Sequence, residues 1–307
     1  MNRCLIVLAI LLVTACAIQK YDIVEPSQTS SFSSRYMAIT IDDLPVVRGG
    51  NTANQLEITN NILNTLKRYN APATGFVNAG PNTNPNNNDL ILRQWLEADM
   101  DLGNHTYSHI SLFHTPLADY EKNVIRGERL LRRLMAEFGK TLTYFRHPYL
   151  NTGPNLETKE KFESFLTAHD YIIAPVTIDN SEWLYALAYD NAAAKNNADL
   201  MSKIGTDYIR HMKEMVTLFE TISTDLLNRD MKQILLIHAN ALNAAYLDQL
   251  LNLLKNQGYQ FVTLSEALTD PAYHREDNYV GKKGVSWLQR WLVSSGQTER
   301  EEPTVPE

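Results

Sequence analysis

Short apolar runs alternate with longer amphipathic stretches between residues 36 and 268. The runs are rich in β-branched and aromatic residues, which predicts buried strands at residues 36–41, 73–77, 144–146, 171–178, 234–237 and 260–263, with a further short strand at 101–103. Apolar residues at helical spacing predict four helices, near residues 56–69, 117–138, 204–226 and 247–254. This alternation is typical of an α/β fold with a parallel sheet, either open or closed into a barrel.

Two polar stretches interrupt the pattern, and we expect a loop at each. Residues 81–88 are rich in asparagine and contain two prolines. Residues 190–199 are also mostly polar or small, and they precede the long helix predicted near residue 204.

The C-terminal stretch carries four large apolar side chains on adjacent helical turns: Trp287, Leu288, Trp291 and Leu292. We expect residues 284–292 to form a short helix that packs on the domain as a brace. The alternative is an exposed platform for a sugar or a membrane surface. From about Val293 the chain is charged and contains proline, which predicts a disordered tail.

The first residues of the chain have the order of a secretory signal. Arg3 supplies a positive charge, and the apolar residues 4–13 that follow are too few to span a membrane comfortably. The small residues before Cys16 resemble a bacterial lipoprotein box with a lipidated cysteine; an ordinary cleaved signal is the alternative. The Ser-rich residues 17–34 predict a flexible tether. We expect a lipid-anchored protein of the bacterial cell envelope, and Ala17 favours, by analogy, the outer membrane facing the periplasm.

Composition narrows the possible functions. The chain has 307 residues, of which 44% are hydrophobic, enough for a sizeable core in one or two domains. Its formal net charge is −7, which argues against a nucleic-acid partner because nucleic-acid-binding surfaces are usually basic. The two cysteines are Cys4 and Cys16. The chain after Cys16 therefore has no internal disulfide, thiol nucleophile or thiolate metal site.

Two adjacent acidic residues, Asp42 and Asp43, follow the first apolar run. Neighbouring carboxylates repel each other, and burial makes the pair less stable unless a proton or a cation compensates. The spacing of His105 and His109 puts two imidazoles on one side of a turn, as zinc ligation needs. That spacing is a weak signal alone. Combined with the paired carboxylates, it indicates a metal site.

Polar residues also follow three later apolar runs. Arg146 and Tyr149 follow the run at residues 144–146, Asp179 follows that at 171–178, and His238 follows that at 234–237. Taken singly, each of these residues could have only a structural role in a loop or could form a surface ion pair. Active sites in α/β folds gather at the carboxyl ends of the strands, so their joint occurrence predicts one shared site.

These residues resemble the motifs of the polysaccharide deacetylase family, the NodB-homology domain of carbohydrate esterase family four. Five motifs occur in order over roughly residues 36–268: Thr40-Ile41-Asp42-Asp43-Leu44, His105-Thr106-Tyr107-Ser108-His109, Arg146-His147-Pro148-Tyr149, Asp179-Asn180-Ser181-Glu182-Trp183 and Leu236-Ile237-His238. Two positions depart from the family pattern. Leu44-Pro45 stands where a glycine is usual, and Glu182 replaces an aspartate; both affect the expected substrate choice more than the expected catalysis.

The resemblance implies a fold and a metal site. The fold would be a distorted (β/α) barrel, with a single catalytic domain at residues 35–270 and a C-terminal extension at residues 271–307. Asp43, His105 and His109 would hold a divalent metal. Zinc suits these ligands best, and cobalt or nickel are alternatives.

The resemblance also implies the catalytic roles. Asp42 would be the general base, held by Arg146. His238 would be the general acid, with Asp179 orienting its ring and raising its pKa. The backbone N–H of Tyr149 would donate to the oxyanion. The side chains of Trp183 and Leu236 would form the wall of the pocket for the acetyl group.

The expected activity is the removal of acetyl groups from N-acetylated glycans of the peptidoglycan or chitooligosaccharide type, with release of acetate. One alternative is an O-acetyl polysaccharide esterase or small-amide hydrolase that uses the same site. A further alternative is a non-catalytic glycan-binding surface lipoprotein. Binding alone needs neither Asp42 nor His238, which favours the enzyme. The sequence does not identify any protein partner.

Overall fold

Strand β1 (Arg35–Leu44) belongs to a parallel sheet in this computed structural model, and it pairs with three other strands of that sheet. The structure describes residues 35–46, 52–78, 80 and 85–306. The predictions for residues 1–34, which include the lipidation of Cys16 and the tether, lie outside the described residues. So does the first half of the polar loop expected at residues 81–88.

The remaining elements follow in alternation. The other strands are β2 (Ala73–Val77), β3 (Asp101–Asn104), β4 (Tyr144–Phe145), β5 (Ile172–Ile173), β6 (Gln233–His238) and β7 (Tyr259–Val262). The helices are α1 (Thr52–Arg68), α2 (Pro85–Glu97), α3 (Leu117–Glu137), α4 (Leu156–Ala168), α5 (Glu182–Ala194), α6 (Ala198–Leu227), α7 (Ala241–Asn256), α8 (Leu264–Ala267) and α9 (Trp287–Ser294). Two 3₁₀ turns occupy Pro148–Leu150 and Pro271–His274.

The sheet curls towards closure. Its order is β5-β4-β3-β2-β1-β6, and the neighbouring strands pair in parallel. β7 pairs with residues 35–38 of β1, and β2 pairs with β1 from Ile39 onward. After β5 the chain runs beside β6, where Ile178 forms a parallel bridge with Leu235. The predicted distorted barrel is therefore confirmed, in the form of a curled half-barrel with helices around it.

Alternate residues of β1 face different layers. Those that face the helices belong to the larger core: Met37, Ile39 and Ile41. Ala38 lies in the smaller core on the other face, and the two-residue period of a strand puts Thr40 and Asp42 on that inner face as well. All three are buried. The strand thus carries a carboxylate on its inner face at its carboxyl end.

The prediction for residues 190–199 was wrong. The expected loop is reduced to residues 195–197, because α5 ends at Ala194 and α6 begins at Ala198. Asn191 and Asp199, two of the polar residues on which the expectation rested, lie on exposed helical surface. Helices α2, α4 and α5 were also not predicted. Among the described residues, no helix has both the length and the apolar character that a membrane crossing requires.

The residues after Asp270 pack against the domain. Trp287 and Trp291 of α9 are buried, so this helix is a brace and not an exposed platform. The disorder expected from Val293 onward is wrong for the part that the structure describes. There the N–H of Arg300 donates to Gln289 Oε1 (2.8 Å), and Val305 packs against the core.

Candidate active site

The carboxyl ends of β1 and β6, with the loops that follow β3 and β4, surround an open cavity of about 550 Å³. Nearly all predicted site residues of the described ranges line it: Asp42, Asp43, His105, His109, Tyr149, Asp179, Trp183, Leu236 and His238. Arg146 does not line it but is fully buried next to Asp42. Five motifs separated along the chain therefore meet where the strand ends place them.

Asp43, His105 and His109 form what we call the metal corner. Their candidate ligand atoms lie within 4.8 Å of one another. Asp43 Oδ1 is 3.3 Å from His109 Nε2 and 3.6 Å from His105 Nε2. His105 Nδ1 lies 2.9 Å from the carbonyl oxygen of Arg146. A carbonyl only accepts, so Nδ1 carries the proton and the lone pair of Nε2 faces Asp43.

The electrostatics of the metal corner suit a cation. Burial lowers the pKa of His105 well below its usual value, and the neighbouring His109 lowers it further. Burial also lowers the pKa of His109, although the charge of Asp43 opposes the shift. Both imidazoles are therefore neutral at neutral pH, as metal ligation requires. One carboxylate and two neutral imidazoles fit a divalent metal of the zinc type.

Helix α3 holds the loop that carries the two histidines. Asn123 Oδ1 accepts hydrogen bonds from the N–H groups of Tyr107 (2.8 Å) and Ser108 (2.9 Å). Gly127 lets the loop approach the helix, because a Cβ at that position would lie 3.0 Å from the carbonyl carbon of Thr106. Sequence reasoning missed Asn123, since its partners lie in another segment and nothing local marks it as functional.

Four residues of the cavity adopt the left-handed backbone region that non-glycine residues avoid. The φ angles are 64° for Asp43, 52° for His109, 57° for Tyr149 and 51° for Leu150. Each such residue costs about 1–2 kcal/mol, so it persists only where surrounding contacts hold it. Backbone strain of this kind therefore occurs in the loops that carry the chemistry.

Asp42 lies beside the metal corner and contacts Arg146. Arg146 Nη1 is 3.4 Å from both carboxylate oxygens of Asp42. The guanidinium is itself fixed, since Nη2 donates to Thr40 Oγ1 (3.1 Å) and Nε donates to the carbonyl of Ala174 (2.7 Å). Burial raises the pKa of Asp42 and the charge of Arg146 lowers it, which leaves the pKa at about 6. Above that pH the carboxylate is ionised and able to accept a proton.

Glu182 is the carboxylate bonded to His238. The expectation that Asp179 orients this ring was wrong: His238 Nδ1 donates to Glu182 Oε2 at 2.8 Å. Asp179 also lines the cavity, where its Oδ1 accepts from the N–H of Asn180 (2.9 Å). The reason is local geometry. Helix α5 begins at Glu182, and this first residue of the helix is fully buried against the end of β6.

A buried amide network holds Glu182 in place. Its Oε1 accepts from Asn240 Nδ2 (2.5 Å) and Asn243 Nδ2 (2.9 Å), and Tyr208 donates to Asn243 Oδ1 (2.7 Å). We call Glu182, His238 and Asn240 the acid corner. Burial alone would lower the pKa of His238, but the hydrogen bond and charge of Glu182 outweigh it and raise the pKa to about 9. At neutral pH this histidine carries a proton.

Comparison with known proteins matches part of this chain to a family. Residues 29–163 match the family model described as polysaccharide deacetylase. Those residues belong to the polysaccharide deacetylase family. The peptidoglycan-N-acetylglucosamine deacetylase of Bacillus cereus is 31% identical to this chain over 157 residues, which are 50% of each protein. The chain thus spans about half the length of that curated relative.

Solved structures show the same polysaccharide deacetylase fold. A peptidoglycan deacetylase from Bacillus subtilis gives a TM-score of 0.50 at 22% identity, covering 77% of this chain and 91% of that one. A pseudoenzyme of this family from Bacillus anthracis gives a TM-score of 0.52 at 17% identity, covering 77% and 66%. Because the fold is shared with a pseudoenzyme, the side chains of the site must carry any argument about activity.

The polysaccharide deacetylase match ends before the acid corner. It includes the metal corner, Asp42 and the loop of Arg146 and Tyr149, whereas Glu182 and His238 lie beyond residue 163. The acid corner therefore rests on the motifs in the sequence and on the structure. Tyr149 and Trp183 are 61% and 54% exposed, so two aromatic rings stand at the cavity.

Proposed function

We propose that this polysaccharide deacetylase is a metal-dependent hydrolase that removes acetyl groups from N-acetylated glycans and releases acetate. One observation carries the proposal. Asp42 and His238, which are register partners on adjacent strands, place a proton acceptor and a proton donor beside the metal corner in one cavity. Hydrolysis of an amide needs both groups, because the attacking water must lose a proton and the leaving amine must gain one.

Asp43, His105 and His109 would hold the metal. When bound, a divalent metal supplies Lewis acidity that acidifies water and polarises a carbonyl. The donor set favours zinc, with cobalt or nickel as alternatives. Asp42 takes the proton from the attacking water, and Arg146 keeps its carboxylate on the cavity side of β1.

Two further groups act on the acetyl carbon and its leaving group. The backbone N–H of Tyr149 donates to the oxyanion as the tetrahedral intermediate forms. His238 then passes its proton to the departing nitrogen, which its raised pKa allows at neutral pH. Leu236 and Trp183 line the cavity and would contact the acetyl methyl group.

The substrate class has separate support. The Bacillus cereus relative is named for peptidoglycan N-acetylglucosamine. Sugar rings pack against aromatic faces, and the exposed rings of Tyr149 and Trp183 offer two such faces at the cavity. We propose a peptidoglycan or chitooligosaccharide chain as the substrate.

The cellular location is part of the proposal. The charged and apolar residues 1–13 and the small residues before Cys16 support export and lipid anchoring. A lipid on Cys16, facing the periplasm at the outer membrane, would put the domain next to peptidoglycan. Labelling cells with a radioactive fatty acid tests the anchor, because Cys16→Ser should abolish incorporation and Cys4→Ser should not.

Acetate release tests the activity. Metal-reconstituted protein of residues 17–307 is incubated with peptidoglycan fragments, chitooligosaccharides, acetylated xylan and small N-acetyl amides, and the same protein with Asp42→Asn serves as the blank. We expect acetate from the N-acetylated glycans alone. Release only from xylan or only from small amides would replace the proposal with one of the two alternative hydrolases. No release from any compound, together with glycan binding, would leave a binding protein.

A further inference from the structure

Tyr149 and Leu150 form a strained pair in the turn after β4. Both are non-glycine residues in the left-handed region, with φ angles of 57° and 51°. Two such residues in succession are unfavourable for an isolated chain. The turn must therefore be held by contacts from outside its own segment, and the structure shows where these come from.

Residues 277–290 of the C-terminal extension supply those contacts. Asn151 Nδ2 donates to the carbonyl oxygens of Gly281 (2.9 Å) and Lys282 (3.0 Å). In return, the N–H of Gly281 donates to the carbonyl of Gly153 (3.3 Å). The extension thus runs along the turn and is joined to it by hydrogen bonds in both directions.

Arg290 is the centre of this contact. Its side chain is fully buried. Nη2 donates to the carbonyl oxygen of Leu150, and Nη1 donates to Thr152 Oγ1 at 2.9 Å. Asp277 Oδ2 lies 3.4 Å from Nη1 and balances the charge. A planar guanidinium makes these bonds in fixed directions, which the single ammonium of a lysine cannot reproduce.

Gly284 presses on the same turn from the cavity side. A Cβ at this position would lie 1.7 Å from the carbonyl oxygen of Tyr149 and 2.8 Å from the carbonyl carbon of Leu150. Only glycine allows this approach. Gly284 also lines the cavity, so the extension reaches the active site itself.

We infer that residues 277–290 are a positioning element of the active site, in which Arg290 and Gly284 set the direction of the Tyr149 N–H towards the oxyanion. This inference rests on the proposed function, which makes that N–H a donor to the reacting carbonyl. A brace that only stabilised the fold would affect unfolding. A positioning element also changes turnover, because an oxyanion donor acts mainly in the transition state.

The test uses the full-length chain reconstituted with zinc. Arg290→Lys keeps the positive charge beside Asp277 but loses the bond pattern to Leu150 and Thr152. We expect kcat for acetate release to fall about 10- to 100-fold, with KM changed by less than about threefold. Zinc content should equal that of wild type, because the metal corner lies on other segments.

Two further variants separate positioning from loss of stability. Gly284→Ala places a methyl group against the Tyr149 carbonyl, and we expect the same split between kcat and KM. Arg300→Lys is the matched control, since Arg300 lies in the same extension and makes an ion pair with Asp225 (3.4 Å); it should keep wild-type kcat. Wild-type kcat in folded Arg290→Lys and Gly284→Ala overturns the inference, as does an equal loss in Arg300→Lys.

If the wild type releases no acetate, that result refutes the proposed function but not this inference. Amide hydrogen exchange then still tests the inference. The N–H groups of Leu150, Asn151 and Gly153 are hydrogen bonded within the turn. In Arg290→Lys their exchange should be at least about tenfold faster, while β1 is unaffected. Unchanged exchange in the turn would show that Arg290 does not hold it and would overturn the inference.

Discussion

His105 of the metal corner and His238 of the acid corner line the same cavity, but their pKa values are shifted in opposite directions. Burial by itself would lower the pKa of both rings. For His105, Nδ1 is bonded to a neutral carbonyl, and the pKa stays well below its usual value. For His238, Nδ1 is bonded to the carboxylate of Glu182, and the pKa rises to about 9. The partner of the second ring nitrogen thus decides whether a buried histidine is a ligand or an acid.

The largest expected effect comes from removing a ring of the metal corner. His105→Ala leaves one carboxylate and one imidazole, which is too few protein ligands for a stable zinc site. We expect zinc content after reconstitution to fall close to zero, and acetate release to fall to background. Elemental analysis and the acetate assay measure the two. His114→Ala changes an exposed histidine and should keep both; zinc retained by His105→Ala would exclude His105 as a ligand.

Asp42→Asn separates the base from the metal. The amide is nearly the same size as the carboxylate but cannot accept the proton of water, so kcat should fall about 10²- to 10⁴-fold. Zinc content should stay at the wild-type level, because Asp43 is the carboxylate that faces both imidazoles. If zinc is lost instead, the roles of the two aspartates are reversed.

Glu182→Gln tests what makes the acid corner different. The variant keeps a hydrogen-bonding side chain but removes the charge that raises the pKa of His238. We expect kcat to fall about 10- to 100-fold with unchanged zinc, since general acid catalysis is impaired and the metal corner is not. Asp179→Asn should cost less. An equal or larger loss in Asp179→Asn would restore Asp179 as the main partner of His238.

The smallest effect concerns His147, a buried histidine outside the cavity. Burial, with the charges of Arg290 and Lys159, lowers its pKa from 6.5 to about 3. The unfolded chain binds a proton here near pH 6.5 and the folded chain only near pH 3, so stability falls as the pH drops through this window. Between pH 7 and pH 5 this group should remove about 2 kcal/mol from the free energy of unfolding.

Urea unfolding of wild type and His147→Leu at the two pH values measures that contribution. The variant should lose about 2 kcal/mol less than wild type between pH 7 and pH 5. The other buried histidines contribute equally to both proteins and cancel in the difference. Equal losses would mean that His147 gains its proton in the folded state without penalty.

Local patterns explain what the sequence could predict. β1 is an apolar run that ends in two carboxylates, so its place in the sheet and the chemistry at its end can both be inferred from adjacent residues. The helices α1, α3, α6 and α7 likewise have clear periodicity in the sequence. The two histidines of the metal corner can also be inferred from the local sequence, because His105 and His109 lie four residues apart.

Long-range geometry explains the rest. Asp179 and Glu182 are both acidic residues of one motif, and which of them meets His238 depends on where α5 begins. That start was not predicted, because α5 is rich in alanine and tyrosine with little amphipathic periodicity. The contact of Arg290 with Leu150 joins residues 140 positions apart, which periodicity cannot show.

Helix α5 has a consequence for selectivity. Trp183, Ala186 and Leu187 of this helix line the cavity, and the helix packs against α6 and α7. One wall of the cavity is therefore a regular element already ordered by the core, and binding need not order it again. Preorganised walls reduce the entropic cost of binding and discriminate by shape. We therefore expect the cavity to exclude ligands that are too wide for it, because a helix packed against α6 and α7 does not move aside to admit them.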